Sequence, residues 1–326
     1  LKIMKKIISL VISTVIALVC AFSFTGCNEN KKDGTLKVGI IQYMSHPSLD
    51  NCYKGVKEAL DNSGLDFTLE YQTGSSASAD ADCVNFAKNM VASDFDIIIA
   101  IATPAAKAAF SATDNTDIPV IFCAVSDPVE AKLVEDMNKP GYKCTGTSDV
   151  LDLEAQVNMI KGFQSDVKKI GILYTASEDN SVSNLKRFKE ICEKQNIEVV
   201  DSAVQGASDV PAAAEALAQK VDCINNFTDN NVVNNLSVVL SAAEKNNIPV
   251  YGSEEEQVKN GCLASVSIDY VALGKVTGEM AVNVLKGADA ATMAVKTIKD
   301  ASTVVNEEVM KKLGLTYSGT YTAVSK

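Results

Sequence analysis

Several short apolar runs in this sequence end in hydroxyl, amide or carboxylate residues, the groups that bind a small polar solute. Ile99-Ala100-Ile101-Ala102 runs into Thr103-Pro104, which reads as a helix start. A threonine hydroxyl beside free backbone N–H groups suits a carboxylate, although simple helix capping accounts for Thr103 equally well. Gln42 and Tyr43 follow a first apolar run, Asp127 follows residues 121–125, and Asp149 stands where the chain crosses to a second half. In that half the candidates are Ser177, Asn180 and Ser181, then Thr228, Asp229 and Asn230, then Asp269. Asp229 or Asp269 offers a charge-assisted partner for an ammonium group. For any one of these acids a helix N-cap is the commoner role. Tyr43 and Phe227 are candidate aromatic walls, with core packing the alternative for Phe227.

No catalytic constellation stands beside these groups. GxxxxGK[ST] and GxSxG are both absent, and one histidine, His46, leaves little room for a triad or a multi-histidine metal site. His46 itself reads either as a cleft residue or as a solvent-exposed turn. Glu254-Glu255-Glu256 reads as a solvated helix start. Cys52, Cys83, Cys123, Cys144, Cys192, Cys223 and Cys262 are scattered without metal-ligand spacing and read as small core residues with free thiols. The expectation is a binding protein, not an enzyme, with no metal and no cofactor. Thirty Lys and Arg against 41 Asp and Glu, a net charge of −11, leave no basic footprint for nucleic acid.

The elements that must position these residues alternate. Strands are expected over 36–43, 67–71, 96–100 and 118–124, with helices from Pro47, over 79–91 and from Thr103. After Pro140-Gly141 the alternation restarts, with helices over 152–163, 180–195, 208–220, 229–243 and 269–285 and strands between them. Repeated βα alternation implies parallel sheets covered by helices. The fold class is α/β, two doubly wound parallel-sheet lobes joined by a hinge. Ligands in such sheets bind beyond the carboxyl ends of the strands, and two lobes facing each other by those ends make a closable cleft. The first lobe takes residues 35–149 with about 269–290, and the second takes 150–268 with part of the C-terminal tail.

Residues 1–26 read as an export signal. Lys2, Lys5 and Lys6 precede a short apolar run, and Phe24-Thr25-Gly26-Cys27 closes it. The ending looks like a lipobox, which makes Cys27 the expected site of lipidation and residues 27–34 a tether. The expected location is outside the cytoplasm, on the cell membrane through an N-terminal lipid.

From Leu36 to about Leu285 the chain resembles the substrate-binding proteins of tryptophan/tyrosine-type ABC importers. The resemblance rests on residues 37–43 with His46-Pro47, 99–104, 124–128 and 146–149. It continues through 171–174 with Ser177-Glu178 and Asn180-Ser181, Thr228 to Asn230, and Asp269-Tyr270 with Gly274. It implies a type I periplasmic-binding fold and lipoprotein attachment. It also implies a small ligand, an aromatic amino acid foremost, and an ABC permease with its ATPase as partners. A ligand-sensing lobe for a membrane signalling protein is the alternative. Where such proteins tend to carry proline before the Thr-Asp-Asn segment, this chain has Asn226-Phe227.

Overall fold

The computed structural model describes residues 34–298 and 301–324. The expected export signal, Cys27 and nearly all of the tether lie outside them. In chain order the first half runs β1 (Leu36–Gln42), α1 (Pro47–Asp61), β2 (Phe67–Thr73), α2 (Ala79–Ala92), β3 (Ile97–Ile101), α3 (Thr103–Ala112), β4 (Val120–Cys123) and β5 (Cys144–Ser148). The second half runs α4 (Leu153–Phe163), β6 (Lys169–Thr175), α5 (Asp179–Lys194), β7 (Glu198–Val204), α6 (Val210–Ala218), β8 (Cys223–Asn225), α7 (Asn230–Asn234), α8 (Leu236–Lys245), β9 (Val250–Tyr251), α9 (Glu255–Lys259) and β10 (Ala264–Ser267). The chain then returns to the first half for α10 (Tyr270–Leu285) and β11 (Lys296–Thr297). It ends in the second with β12 (Ser302–Asn306), α11 (Glu307–Lys312) and β13 (Thr322–Val324).

The first lobe is one six-stranded sheet of order β11-β5-β4-β3-β1-β2, parallel throughout. All five residues of β3 are buried, which explains its unbroken apolar sequence: helices cover both faces. The second lobe holds a four-stranded parallel sheet, β7-β6-β8-β9, and a three-stranded one, β10-β12-β13. Backbone bonds from Gly252 N to Ala264 O (2.9 Å) and Leu263 N to Val250 O (2.7 Å) join them. Here the structure departs from a purely parallel arrangement, since β10 and β12 pair antiparallel. The reason is the connectivity. β10 leaves this lobe toward the first and β12 enters from it, so neighbours along that boundary run oppositely.

The hydrophobic core divides in the same way. One cluster gathers residues from Val38 to Cys144 with Tyr270 to Ala290, while two others lie between Leu153 and Val305. Each fully buried Ile, Val or Leu adds roughly 1.5–3 kcal/mol. All seven described cysteines are free and buried. Phe227 also belongs to the core, edge-on to Phe188 at 5.4 Å, and is not a cleft wall.

Two expected helices are shorter than the pattern suggests. Residues 229–243 divide into α7 and α8 at Asn235, whose Nδ2 donates to Asn231 O at 2.8 Å; a side-chain amide that bonds the backbone competes with the helix ladder. Residues 207–209 form a 3-10 turn before α6, so the helix expected from residue 208 starts at Val210.

One helix pair fixes the geometry of the cleft. α1 and α10 cross at glycine contacts. A Cβ on Gly55 would meet Val271 O at 2.1 Å, and one on Gly274 would meet Cys52 O at 2.0 Å. Only glycine permits that approach. It brings the N-termini of both helices over the same strand ends.

Candidate functional site

A narrow, partly open cavity lies between the lobes. Every side chain lining it stands after the carboxyl end of a strand. From the first lobe come His46, Ser48 and Leu49 after β1, Ala102 and Thr103 after β3, Ala124 and Ser126 after β4, and Asp149 after β5. Asn180 follows β6, Thr228, Asn230 and Val233 follow β8, Glu254 follows β9, and Tyr270 follows β10.

The backbone is strained where it meets this space. Ala102 has φ 80° and Ala124 has φ 56°. Such angles cost a non-glycine residue of order 1–3 kcal/mol, and they cluster where a structure serves a ligand. At Ala102 the turn makes that residue the N-cap of α3, with Thr103 as its first helical residue and Pro104 next. Thr103 therefore does not cap the helix. Its Oγ1 is buried without a partner on the cavity wall, beside the positive end of α3.

The second lobe faces it with the same kind of unsatisfied atom. Asn180 Oδ1 and Thr228 Oγ1 are buried and unpartnered. Asn180 Nδ2 donates to Glu178 Oε2 and to Thr228 O, both at 3.2 Å. Behind the wall, Glu178 accepts further bonds from Asn230 N (3.1 Å), Asn230 Nδ2 (2.7 Å) and Asn231 Nδ2 (3.3 Å). Burial, and then the neighbouring Asp229, raise the Glu178 pKa.

The wall carries two carboxyl groups and, among its lining residues, no lysine or arginine. Asp149 accepts from Ser126 Oγ and from Tyr270 OH, each at 2.9 Å. Burial raises its pKa, and those two donors oppose the rise. Glu254 is 2 % exposed. Burial pushes it up to about 7, partly offset by Ser48 and Gln257. A site with acid groups, a helix N-terminus and no basic side chain fits a solute carrying both an ammonium and a carboxylate.

The expected site residues fall into three groups. Thr103, Asp149, Asn180, Thr228 and Asn230 meet at this cavity. Tyr43 and Ser177 line an adjacent groove instead, and burial pushes the Tyr43 hydroxyl pKa up. The remaining five brace the walls. Gln42 Nε2 ties Met44 O and Asp50 Oδ1 at 2.9 and 2.7 Å. Asp269 caps α10 through Val271 N and Ala272 N. Asp229 does not reach the cavity. Its carboxylate accepts from Thr175 N (2.6 Å), Thr175 Oγ1 (2.8 Å), Ser181 Oγ (2.7 Å) and Val232 N (3.0 Å), which leaves no lone pair aimed at a ligand. Ser181 belongs to the same cluster, and Asp127 bonds the opposite lobe.

Nine of the fourteen lining residues lie outside the expected set, Glu254, Tyr270 and Ser126 among them. Glu254 stands in an acidic triplet that reads as solvated, Tyr270 hides behind the capping Asp269, and Ser126 precedes the more conspicuous Asp127. His46, which the sequence allows in either a cleft or a turn, is 9 % exposed at the cavity.

Side chains bridge the two lobes around the cavity. His46 Nε2 lies 3.3 Å from Asn230 Oδ1. Asn51 Nδ2 donates to Glu256 Oε1 at 3.2 Å, Ser183 Oγ donates to Asp127 Oδ2 at 2.6 Å, and Lys107 pairs with Asp179. The lobes are therefore closed. Two α/β lobes closed over a polar cavity define a solute-capturing protein. Residues 37–325 match the family model described as ABC transporter substrate binding protein, and the chain belongs to that family. It is thus an extracytoplasmic solute-binding component of an ABC importer, of a solute-binding family.

A tyrosine-binding protein of Clostridioides difficile (strain R20291) is 36 % identical over 95 % of this chain and 93 % of its own. The ABC domain from Streptococcus pneumonia in complex with L-Trp is 37 % identical, with a TM-score of 0.82 over 87 % of this chain and 96 % of that one. A ligand-free, open substrate-binding protein with adhesive properties from Clostridium difficile is 34 % identical. Its TM-score is 0.67 over 89 % of this chain and 99 % of its own. The higher score falls to the ligand complex, in keeping with the bridges that hold these lobes together.

Proposed function

We propose that this chain captures a zwitterionic amino acid, of aromatic side chain, in the interlobe cavity and hands it to an ABC permease and its ATPase. The observation that carries this reading is the set of buried polar atoms without partners on both walls, Thr103 Oγ1 on one and Asn180 Oδ1 and Thr228 Oγ1 on the other. Native structures leave few such atoms unsatisfied, and each costs about 1–3 kcal/mol. A ligand carboxylate at the start of α3 accepts from Thr103, and an ammonium group satisfies Asp149 and Asn180 Oδ1. Leu49 and Val233 supply apolar surface for the side chain. The relatives named for tyrosine and crystallised with L-Trp support the aromatic class.

The same reading includes export and anchoring. Residues 1–26 are removed, Cys27 is acylated, and the tether leaves the lobes free to close. Titration calorimetry of the mature chain with L-tryptophan, L-tyrosine, L-phenylalanine and a wider amino acid panel tests capture. One molecule bound per chain is expected, and no heat with any amino acid would refute it. Labelling with a radioactive fatty acid, lost in Cys27→Ser, tests the anchor.

A further inference from the structure

A buried asparagine determines which ring nitrogen of the chain's single histidine carries the hydrogen. Asn230 donates to Glu178 Oε2 through both its Nδ2 and its backbone N–H. With its NH2 group turned to Glu178, Asn230 presents Oδ1 across the cleft to His46 Nε2. An amide oxygen only accepts, so Nε2 is the donor and bears the hydrogen. Burial takes the ring pKa down to about 4, so the ring is neutral at ordinary pH. A neutral ring with hydrogen on Nε2 has a bare Nδ1, and His46 Nδ1 is buried without a partner.

The ring's place in the cavity says what that acceptor meets. His46, Val233 and Glu254 line both the cavity and a groove outside it, so they form the partition between the two. Asp149 and Tyr270, where the chain crosses between lobes, line the cavity and not the groove. An amino acid whose ammonium group meets Asp149 points its side chain at the partition. Resting on the amino acid reading above, we propose that His46 Nδ1 accepts a hydrogen bond from the ligand's side-chain O–H or N–H. It thereby selects aromatic side chains that carry a donor over those that lack one. Glu254, at the same partition, is the competing acceptor.

Calorimetry with two ligand pairs tests this: L-tyrosine against L-phenylalanine, and L-tryptophan against the isostere in which sulfur replaces the indole N–H. The wild-type chain is expected to prefer the donor-bearing member by about tenfold. In His46→Gln the amide nitrogen still reaches Asn230 Oδ1, while the one acceptor left, Oε1, is displaced from the position of Nδ1, and the preference falls to within about twofold. Glu254→Gln keeps it. A preference retained in His46→Gln, or abolished by Glu254→Gln alone, overturns the proposal. No binding of any of the four by the wild type overturns the amino acid reading itself. Binding without a donor preference overturns the selectivity alone.

A second readout does not depend on the variants folding. With one histidine in the sequence, ¹⁵N-histidine labelling gives a single pair of ring resonances. With L-tyrosine bound, Nδ1 is expected at its hydrogen-bonded shift with Nε2 protonated, and with L-phenylalanine bound, at the shift of a bare ring nitrogen. A hydrogen on Nδ1 in the tyrosine complex contradicts the assignment.

Discussion

Ser183 Oγ donates to Asp127 Oδ2 across the mouth of the cleft at 2.6 Å. Neither residue lines the cavity, yet the bond exists only while the lobes are together. A hydrogen bond to a charged acceptor is worth about 1.5–3 kcal/mol. Asp127→Ala is therefore expected to weaken ligand binding about tenfold, chiefly through faster dissociation, with Asn as a partial rescue. Stopped-flow release of bound ligand measures it. An unchanged release rate would show that the latch contributes nothing to the closed state.

Thr103 makes the opposite kind of contribution. Its hydroxyl is buried and unpartnered in the closed lobes, so Thr103→Val removes an unsatisfied group while keeping shape. The empty chain should melt at the same temperature or higher, while affinity drops about tenfold. Unaltered affinity would remove Thr103 from the carboxylate site.

Asp229 supports the wall on which Asn230 sits. Asp229→Ala strands Thr175 N, Ser181 Oγ and Val232 N, and should cost roughly 3 kcal/mol of stability. Urea unfolding reads this directly. A fully stable Asp229→Ala that no longer binds ligand would instead place the carboxylate in contact with the solute.

Glu254 links stability to pH. Its pKa rises on folding from 4.5 to about 7 because burial disfavours the charged form. The folded chain therefore holds a proton that the unfolded chain gives up. The stability this group confers is complete below pH 4.5 and is lost as pH rises through about 7, a difference of roughly 3 kcal/mol. With saturating amino acid, which holds the lobes closed, Glu254→Gln should melt above the wild type at pH 8, the gap closing toward pH 4.5. A gap independent of pH between 4.5 and 8 would contradict a proton held on Glu254.

The alternation of strands and helices in the first lobe, and the polar residues after its strand ends, are legible in local pattern. A run such as Ile97–Ile101 followed by Thr-Pro states both the buried strand and the helix start on the cavity wall. The role of each acid is not legible there, because it depends on burial set by distant elements. Asp229 and Asp269 fit the motif of a ligand carboxylate and serve as caps. Glu254 fits the pattern of a solvated triplet, and folding buries it against the other lobe. The three chain crossings between lobes also make β12 antiparallel to β10, which alternation alone does not reveal.

The central claim is that this closed arrangement is the one a bound amino acid stabilises. Small-angle X-ray scattering of the mature chain, with and without saturating L-tyrosine or L-tryptophan, tests it most directly. The account predicts an open form of larger radius of gyration that contracts, on adding ligand, to the value calculated for the closed lobes. A ligand that binds while the scattering profile stays fixed in the open form would contradict it.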